Sequence, residues 1–126
     1  MKSYTDINQS RKLAEFLPLE SADMCWTPFD EKWDAYLGAP HPDAIKKEIP
    51  CWSLAALLQV LPLGIYDEFD NCDYELEIDM IDKMPRYIRL GDIYHSKFPY
   101  DFEKDTLLDN IVESIIWLND NNYFEL

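Results

Sequence analysis

The sequence of 126 residues has little glycine, little positive charge and no long apolar run. Its three glycines, Gly38, Gly64 and Gly91, are isolated, so no phosphate-binding loop is present and we expect no cofactor. The longest apolar run, at residues 54–61, is far shorter than the roughly 20 residues of a membrane-spanning helix. No apolar segment follows the first residues, so we expect neither a signal peptide nor membrane insertion.

The cysteines and histidines are few and lack the spacing of a metal site. Cys25, Cys51 and Cys72 are an odd number, and neither His41 nor His95 has a partner at ligand spacing. A disulfide framework is therefore not expected, and reduced thiols are typical of the cytoplasm. We predict a cytoplasmic protein without bound metal.

Negative charge dominates the chain, with 25 acidic and 11 basic residues and a net charge of −14. The imbalance lies in the second half, since residues 66–126 carry sixteen acids and five bases, a net of −11. Such a field repels nucleic acid and anionic lipid. We therefore expect no direct binding to nucleic acid or membrane, and a protein partner with a basic surface is favoured.

Capping residues and apolar periodicity predict three helices. Asp6 is placed to cap a first helix, which Pro18 ends. Ser53 caps a second over residues 54–61, apolar on nearly every side and therefore expected to be buried. An amphipathic stripe predicts a third helix over residues 107–118. The leucines of the second helix expected in the core are Leu54, Leu57, Leu58 and Leu61.

Residues 72–81 read CDYELEIDMI, in which carboxylates alternate with apolar side chains. Successive side chains of a strand face opposite sides, so this stretch predicts a strand with one acidic and one apolar face. The acidic face would hold Asp73, Glu75, Glu77 and Asp79. The apolar face, turned into the core, would hold Tyr74, Leu76, Ile78 and Met80. A turn at 82–85 and a returning strand at 86–94 would set Asp79 opposite Arg89.

The order of elements predicts the fold class. Two weaker strands, at residues 24–26 and 33–37, flank a polar turn at 28–32 and precede the second helix. Helix, strands, helix, hairpin and helix together indicate an α+β fold: a small antiparallel sheet with helices packed on one face. At this length we expect one domain, residues 1–126.

Two stretches carry a resemblance to a known group of proteins. SRKLAEFLPLESADMCW at residues 10–26 and IPCWSLAALLQVLP at 49–62 resemble small uncharacterised proteins from anaerobic gut bacteria. The amphipathic helix near the C-terminus is similar in a vaguer way. The resemblance implies a bacterial cytoplasmic setting, and it carries over neither an activity nor a functional residue.

Cys51 is a candidate nucleophile. The segment 51–53, at the predicted start of a helix, is similar to the nucleophile segment of papain-like hydrolases, and a helix N-terminus favours a thiolate. His95 or His41 would be the base. The chain departs from that family because Pro50 replaces its Gly-Ser and His95 lies far too close in sequence. We expect Cys51 to be a packed thiol rather than a catalytic thiolate.

An acidic loop is a candidate calcium site, since hard cations prefer oxygen ligands. The loop lacks the glycine and the distant glutamate of an EF-hand, so a solvated turn is the favoured interpretation. Its residues are Asp67, Glu68, Asp70, Asn71 and Asp73.

The acidic strand is the candidate binding site. Carboxylates on one face of a strand repeat every ~6.7 Å, and such a row could imitate a nucleic-acid backbone or steer a basic partner. The alternative is a half-buried strand with one solvated face, whose charges discourage edge pairing. The favoured function is protein–protein binding, as a regulator or inhibitor of a basic or nucleic-acid-binding partner. A cysteine hydrolase using Cys51 and His95 is the alternative.

Overall fold

The structure, a computed structural model, describes residues 2–29, 32–38, 48–69, 71–89, 92–96 and 104–124. In these residues three α-helices are separated by a group of three strands and a group of four strands, all antiparallel, and the α+β class is confirmed. The elements are α1 (Ile7–Ala14), a 3₁₀-helix (Leu19–Ser21), β1 (Met24–Phe29), β2 (Lys32–Leu37), β3 (Ile49–Cys51), α2 (Leu54–Val60), β4 (Gly64–Asp67), β5 (Cys72–Asp79), β6 (Met84–Arg89), β7 (Asp92–Ser96) and α3 (Leu107–Asp120).

The chain divides into two compact units, Met1–Val60 and Leu61–Glu125. The first contains a three-stranded sheet in the order β2-β1-β3, with α1 against β3. The second contains a four-stranded sheet in the order β4-β5-β6-β7, with α3 against β6. The strands thus form two small sheets, and a single domain stays a prediction from the sequence. No helix in the described part of the chain is long and apolar enough to cross a membrane.

The predicted helix starts are confirmed in the first unit. Asp6 Oδ1 accepts a hydrogen bond from Gln9 N at 2.8 Å, and Gln9 Oε1 accepts one from Asp6 N at 3.0 Å, which completes a capping box. Ser53 Oγ accepts from Ala56 N at 3.2 Å in the first turn of α2. Asp23 Oδ1 in turn accepts from Ser53 N at 2.8 Å, so a side chain outside the helix fixes its start.

The predicted burial of α2 is partly wrong. Leu57 is fully buried and Leu61, just past the helix, is 3% exposed, whereas Leu54 is half-buried and Leu58 is 36% exposed. The helix therefore has one buried side and one solvated side. Gln59 is the one polar residue of α2 and lies on the solvated side, but a single polar position gives too weak a periodicity to predict that side from the sequence.

The predicted register of the β5–β6 hairpin is wrong. Asp79 lies opposite Met84 rather than Arg89, because the turn occupies residues 80–83 and not 82–85. Asp79 Oδ1 accepts hydrogen bonds from Ile81 N at 2.9 Å and from the next amide at 3.1 Å, and this side-chain turn closes the hairpin early. The predicted returning strand at 86–94 is divided into β6 and β7, with an irregularity at Ile88.

The early turn also removes Met80 from the core. Met80 follows the last residue of β5 and is 66% exposed, so its predicted place on the buried face is wrong. On the other strands of the sheet the buried side is formed by Ile65 and Tyr87, both nearly inaccessible. Tyr87 donates a hydrogen bond to Pro62 O at 2.5 Å, and burial raises the pKa of its phenol.

Candidate functional site

The exposed face of β5 carries three carboxylates. Asp73, Glu75 and Glu77 are exposed, whereas Tyr74 between them is 3% exposed and Leu76 is half-buried. The alternation that predicted the strand is therefore present over the first six residues of β5. Glu75 is paired on both sides, with Gly64 of β4 and Ile88 of β6. In the described register Asp73 is paired with Tyr66 of β4 and Glu77 with Arg86 of β6.

We call Asp73, Glu75 and Glu77 the acidic row. None of the three forms an ion pair within the described part of the chain. Side chains on alternate positions of a strand are ~6.7 Å apart, too close to be independent at low salt. The row is consequently a concentrated negative surface in which no described carboxylate forms an ion pair.

The fourth predicted member, Asp79, is used inside the hairpin. Its Oδ2 lies 3.0 Å from Arg86 Nη1, while its Oδ1 holds the turn. Hydrogen bonds from the amides of Asp82 and Ile81 lower the pKa of Asp79, and Arg86 adds to the effect. The Arg86 guanidinium also contacts Asp82 at 2.9 Å, and its pKa is raised by these carboxylates. Asp79 is therefore a structural carboxylate, half-buried, and not part of the open row.

The neighbouring strand β4 extends this face with an aromatic side chain. Asp73 lies opposite Tyr66, which is 49% exposed, and Glu75 lies opposite Gly64. Directly opposed residues of an antiparallel pair share a face. Gly64 has no side chain, so Glu75 is uncovered on this side. The short alternation in 64–67 gave too weak a signal for sequence reasoning to find this strand.

Cys51 does not occupy the position predicted for a nucleophile. It is the last residue of β3, paired with Met24 of β1, and precedes the α2 cap by two residues. Its thiol is fully buried and donates to Thr5 O at 3.4 Å, while Thr5 Oγ1 lies 3.5 Å from Sγ. Burial raises the pKa of the Cys51 thiol, which opposes a thiolate at neutral pH.

The side chains of both proposed bases for Cys51 lie outside the described part of the structure. His41 belongs to a segment that is not described, and for His95 only the backbone of β7 is described. The described surroundings of Cys51 include the hydroxyls of Thr5 and Ser10, which bond each other at 2.7 Å, and the carboxylate of Asp23.

The candidate calcium loop is organised by its own hydrogen bonds. Asp67 is 5% exposed, and its Oδ1 accepts from Phe69 N at 2.8 Å. Asn71, with φ 54°, accepts a hydrogen bond from the Tyr66 hydroxyl through Oδ1. Asp70 lies outside the described residues. Among those that are described, no cluster of three or more His, Cys, Asp or Glu side chains could hold a metal ion.

Comparison of the chain with protein-family models, with curated proteins and with solved structures gives no match. The acidic row must therefore be interpreted from its own geometry and charge.

Proposed function

We propose that the protein acts by binding another protein that has a basic surface, through the acidic row of β5. The observation that carries the proposal is the set of three exposed carboxylates on alternate residues of one strand, without an ion pair in the described structure. The net charge of −14 adds a long-range field of the same sign. Such a field accelerates the encounter with a basic surface and repels nucleic acid.

The role of the complex is regulation or inhibition of that partner. A row of fixed negative charges can occupy a basic surface that otherwise contacts nucleic acid, which makes basic or nucleic-acid-binding proteins the expected partner class. Direct contact of this chain with nucleic acid or with a membrane is not part of the proposal. We also propose a bacterial cytoplasmic setting, which is supported by three cysteines present as thiols and by the resemblance noted above.

Affinity capture with charge-matched variants tests the proposal. The row variant combines Asp73→Asn, Glu75→Gln and Glu77→Gln, and the control combines Glu15→Gln, Glu20→Gln and Asp34→Asn on exposed residues of the first unit. Both change the net charge from −14 to −11. From a bacterial cytoplasmic extract at low salt, the control should retain a specific basic protein that the row variant loses. Equal retention by both variants would contradict a role for the row.

A further inference from the structure

A groove in the second unit lies between β4 and the residues that follow α3. It has a volume of about 510 Å³, with β4 as one wall and residues 122–124, just past α3, as the other. Tyr66, Tyr123 and Phe124 give it aromatic surface, and Glu68 gives it a carboxylate. Leu63, just before β4, and Phe69, just after it, are 83% and 95% exposed. The groove thus combines apolar and negative surface beside a strand edge.

The backbone of β4 presents hydrogen-bonding groups to this groove. Leu63 O accepts from Leu76 N at 2.9 Å, and the ladder pairs Ile65 with Tyr74. In an antiparallel pair the bonded positions alternate, so Gly64 and Tyr66 direct their N–H and C=O groups away from β5. In the described sheet β4 is the outermost strand, and no described strand pairs with its outer side. Both residues line the groove.

We propose that this groove binds an extended, lysine- or arginine-containing segment of the partner, which adds a strand to the edge of β4. The inference rests on the proposed function and specifies its partner. Basic side chains of an added strand, and not a folded basic surface alone, would contact the acidic row. Backbone pairing with Gly64 and Tyr66 would provide affinity, and side-chain contacts would provide specificity, as in other cases of strand addition.

Charge and spacing select a basic occupant. An added strand would lie two interstrand spacings, about 10 Å, from β5. On the exposed face, a lysine or arginine opposite Gly64 meets no side chain before Glu75, since these two residues are paired. A basic side chain opposite Tyr66 can pack on the phenol ring and lie near Asp73. Glu68 lines the same groove, so an acidic segment would be repelled.

Gly64 lies where a side chain would pack tightly against the backbone of β5. A Cβ atom added there would lie 3.2 Å from Tyr74 O, a tight contact with the backbone of β5. The glycine avoids this contact and places no side chain on β4 beside Glu75. A second copy of this chain is a poorer occupant, because each copy carries a net charge of −14.

The test uses the full chain and an eight-residue peptide that alternates lysine with threonine, blocked at both ends. Amide chemical shifts of the ¹⁵N-labelled protein should change most at Gly64 and Tyr66. The same peptide with glutamate in place of lysine should give no shifts. A lysine peptide methylated on every second backbone nitrogen lacks the N–H donors that would face β4. It should bind about tenfold or more weakly than the unmethylated peptide.

Three variants distinguish the contribution of the β4 backbone to peptide binding from that of the Tyr66 side chain. Tyr66→Ala should weaken peptide binding about two- to fivefold by removing the ring. Tyr66→Pro should weaken it about tenfold further, since proline on an edge strand removes an outward N–H that β5 does not use. Tyr36→Ala is the matched control, because Tyr36 is equally exposed at 50% and lies in the first unit. It should bind the peptide as the unchanged protein does.

Two results would overturn the inference. If the methylated peptide binds as well as the lysine peptide and shifts only Asp73, Glu75 and Glu77, the row binds cations without strand addition, and the proposed function stands alone. If no peptide shifts Gly64 or Tyr66, or if their shifts depend on protein concentration alone, β4 is not a basic-peptide site. The methylated peptide decides the matter even if Tyr66→Pro fails to fold.

Discussion

The guanidinium of Arg86 lies 3.0 Å from the carboxylate of Asp79, so the last acid of β5 is neutralised within its own hairpin. Arg86 stands opposite Glu77 in the ladder, yet its two described ion pairs are with Asp79 and Asp82. Asp79 and Asp82 thereby hold the Arg86 guanidinium near the turn, and no described ion pair involves the acidic row.

The Asp79–Arg86 pair predicts a specific pH dependence of stability. The folded state lowers the pKa of Asp79, so the carboxylate stabilises the fold above its unfolded pKa of about 3.9, and this contribution is lost as the pH falls through the folded value. Asp79→Asn keeps an oxygen for the turn amides and removes the charge. Its destabilisation should be constant between pH 7 and about pH 5 and shrink below about pH 4.

Urea denaturation of both proteins across this pH range measures the effect. Asp79→Ala, which also removes the acceptor for Ile81 N, should be less stable than Asp79→Asn at every pH. A difference between wild type and Asp79→Asn that does not change with pH would show that the charge of Asp79 is irrelevant.

Two adjacent leucines of α2 should differ sharply in their effect on stability. Leu57 is fully buried, so Leu57→Ala should cost about 2–5 kcal/mol in the free energy of unfolding. Leu58 is 36% exposed, and Leu58→Ala should cost well under half of that. The pair is compared by urea midpoints at constant m-value. Equal losses in the free energy of unfolding would mean that the Leu58 side chain is buried in solution.

Thiol reactivity should follow burial. Cys25 and Cys51 are buried and Cys72 is half-buried, so iodoacetamide should modify Cys72 first and Cys51 only on unfolding. The raised pKa of Cys51 acts in the same direction, because the thiol rather than the thiolate is favoured. Mass spectrometry of peptides after timed alkylation gives the order. Rapid alkylation confined to Cys51 at pH 6 would support the alternative function, a cysteine hydrolase using Cys51.

The sequence patterns predicted those features that depend on local chemistry. The capping box of Asp6 and the alternation of β5 are both properties of neighbouring residues, and both are present. The hairpin register was missed because a single side chain, Asp79, closes the turn by accepting from two amides, which alternation alone does not reveal. Strand β3 was missed because it is short and contains Pro50.

The candidate site was only partly predictable for the same reason. Exposure of Asp73, Glu75 and Glu77 follows from the period of a strand. Two further features, that Asp79 is not part of the row and that Tyr66 lies on the same face, depend on which strands pair and in which register. Pairing joins residues distant in sequence, and composition does not encode it.

The row variant should fold. Its three carboxylates are exposed and make no described ion pair, so Asp73→Asn, Glu75→Gln and Glu77→Gln should leave the urea midpoint unchanged or raise it slightly at low salt by relieving repulsion. The charge-matched control on Glu15, Glu20 and Asp34 sets the scale for a general change of charge. Unfolding of the row variant would mean that these acids make internal bonds.

The most direct test of the acidic row is the association rate with the captured basic partner, measured by stopped flow at low and at high ionic strength. We expect the row variant to associate at least tenfold more slowly than the charge-matched control at low salt, with the difference largely lost at high salt, as for electrostatically steered encounters. Equal association rates for the two variants at low salt would contradict the account.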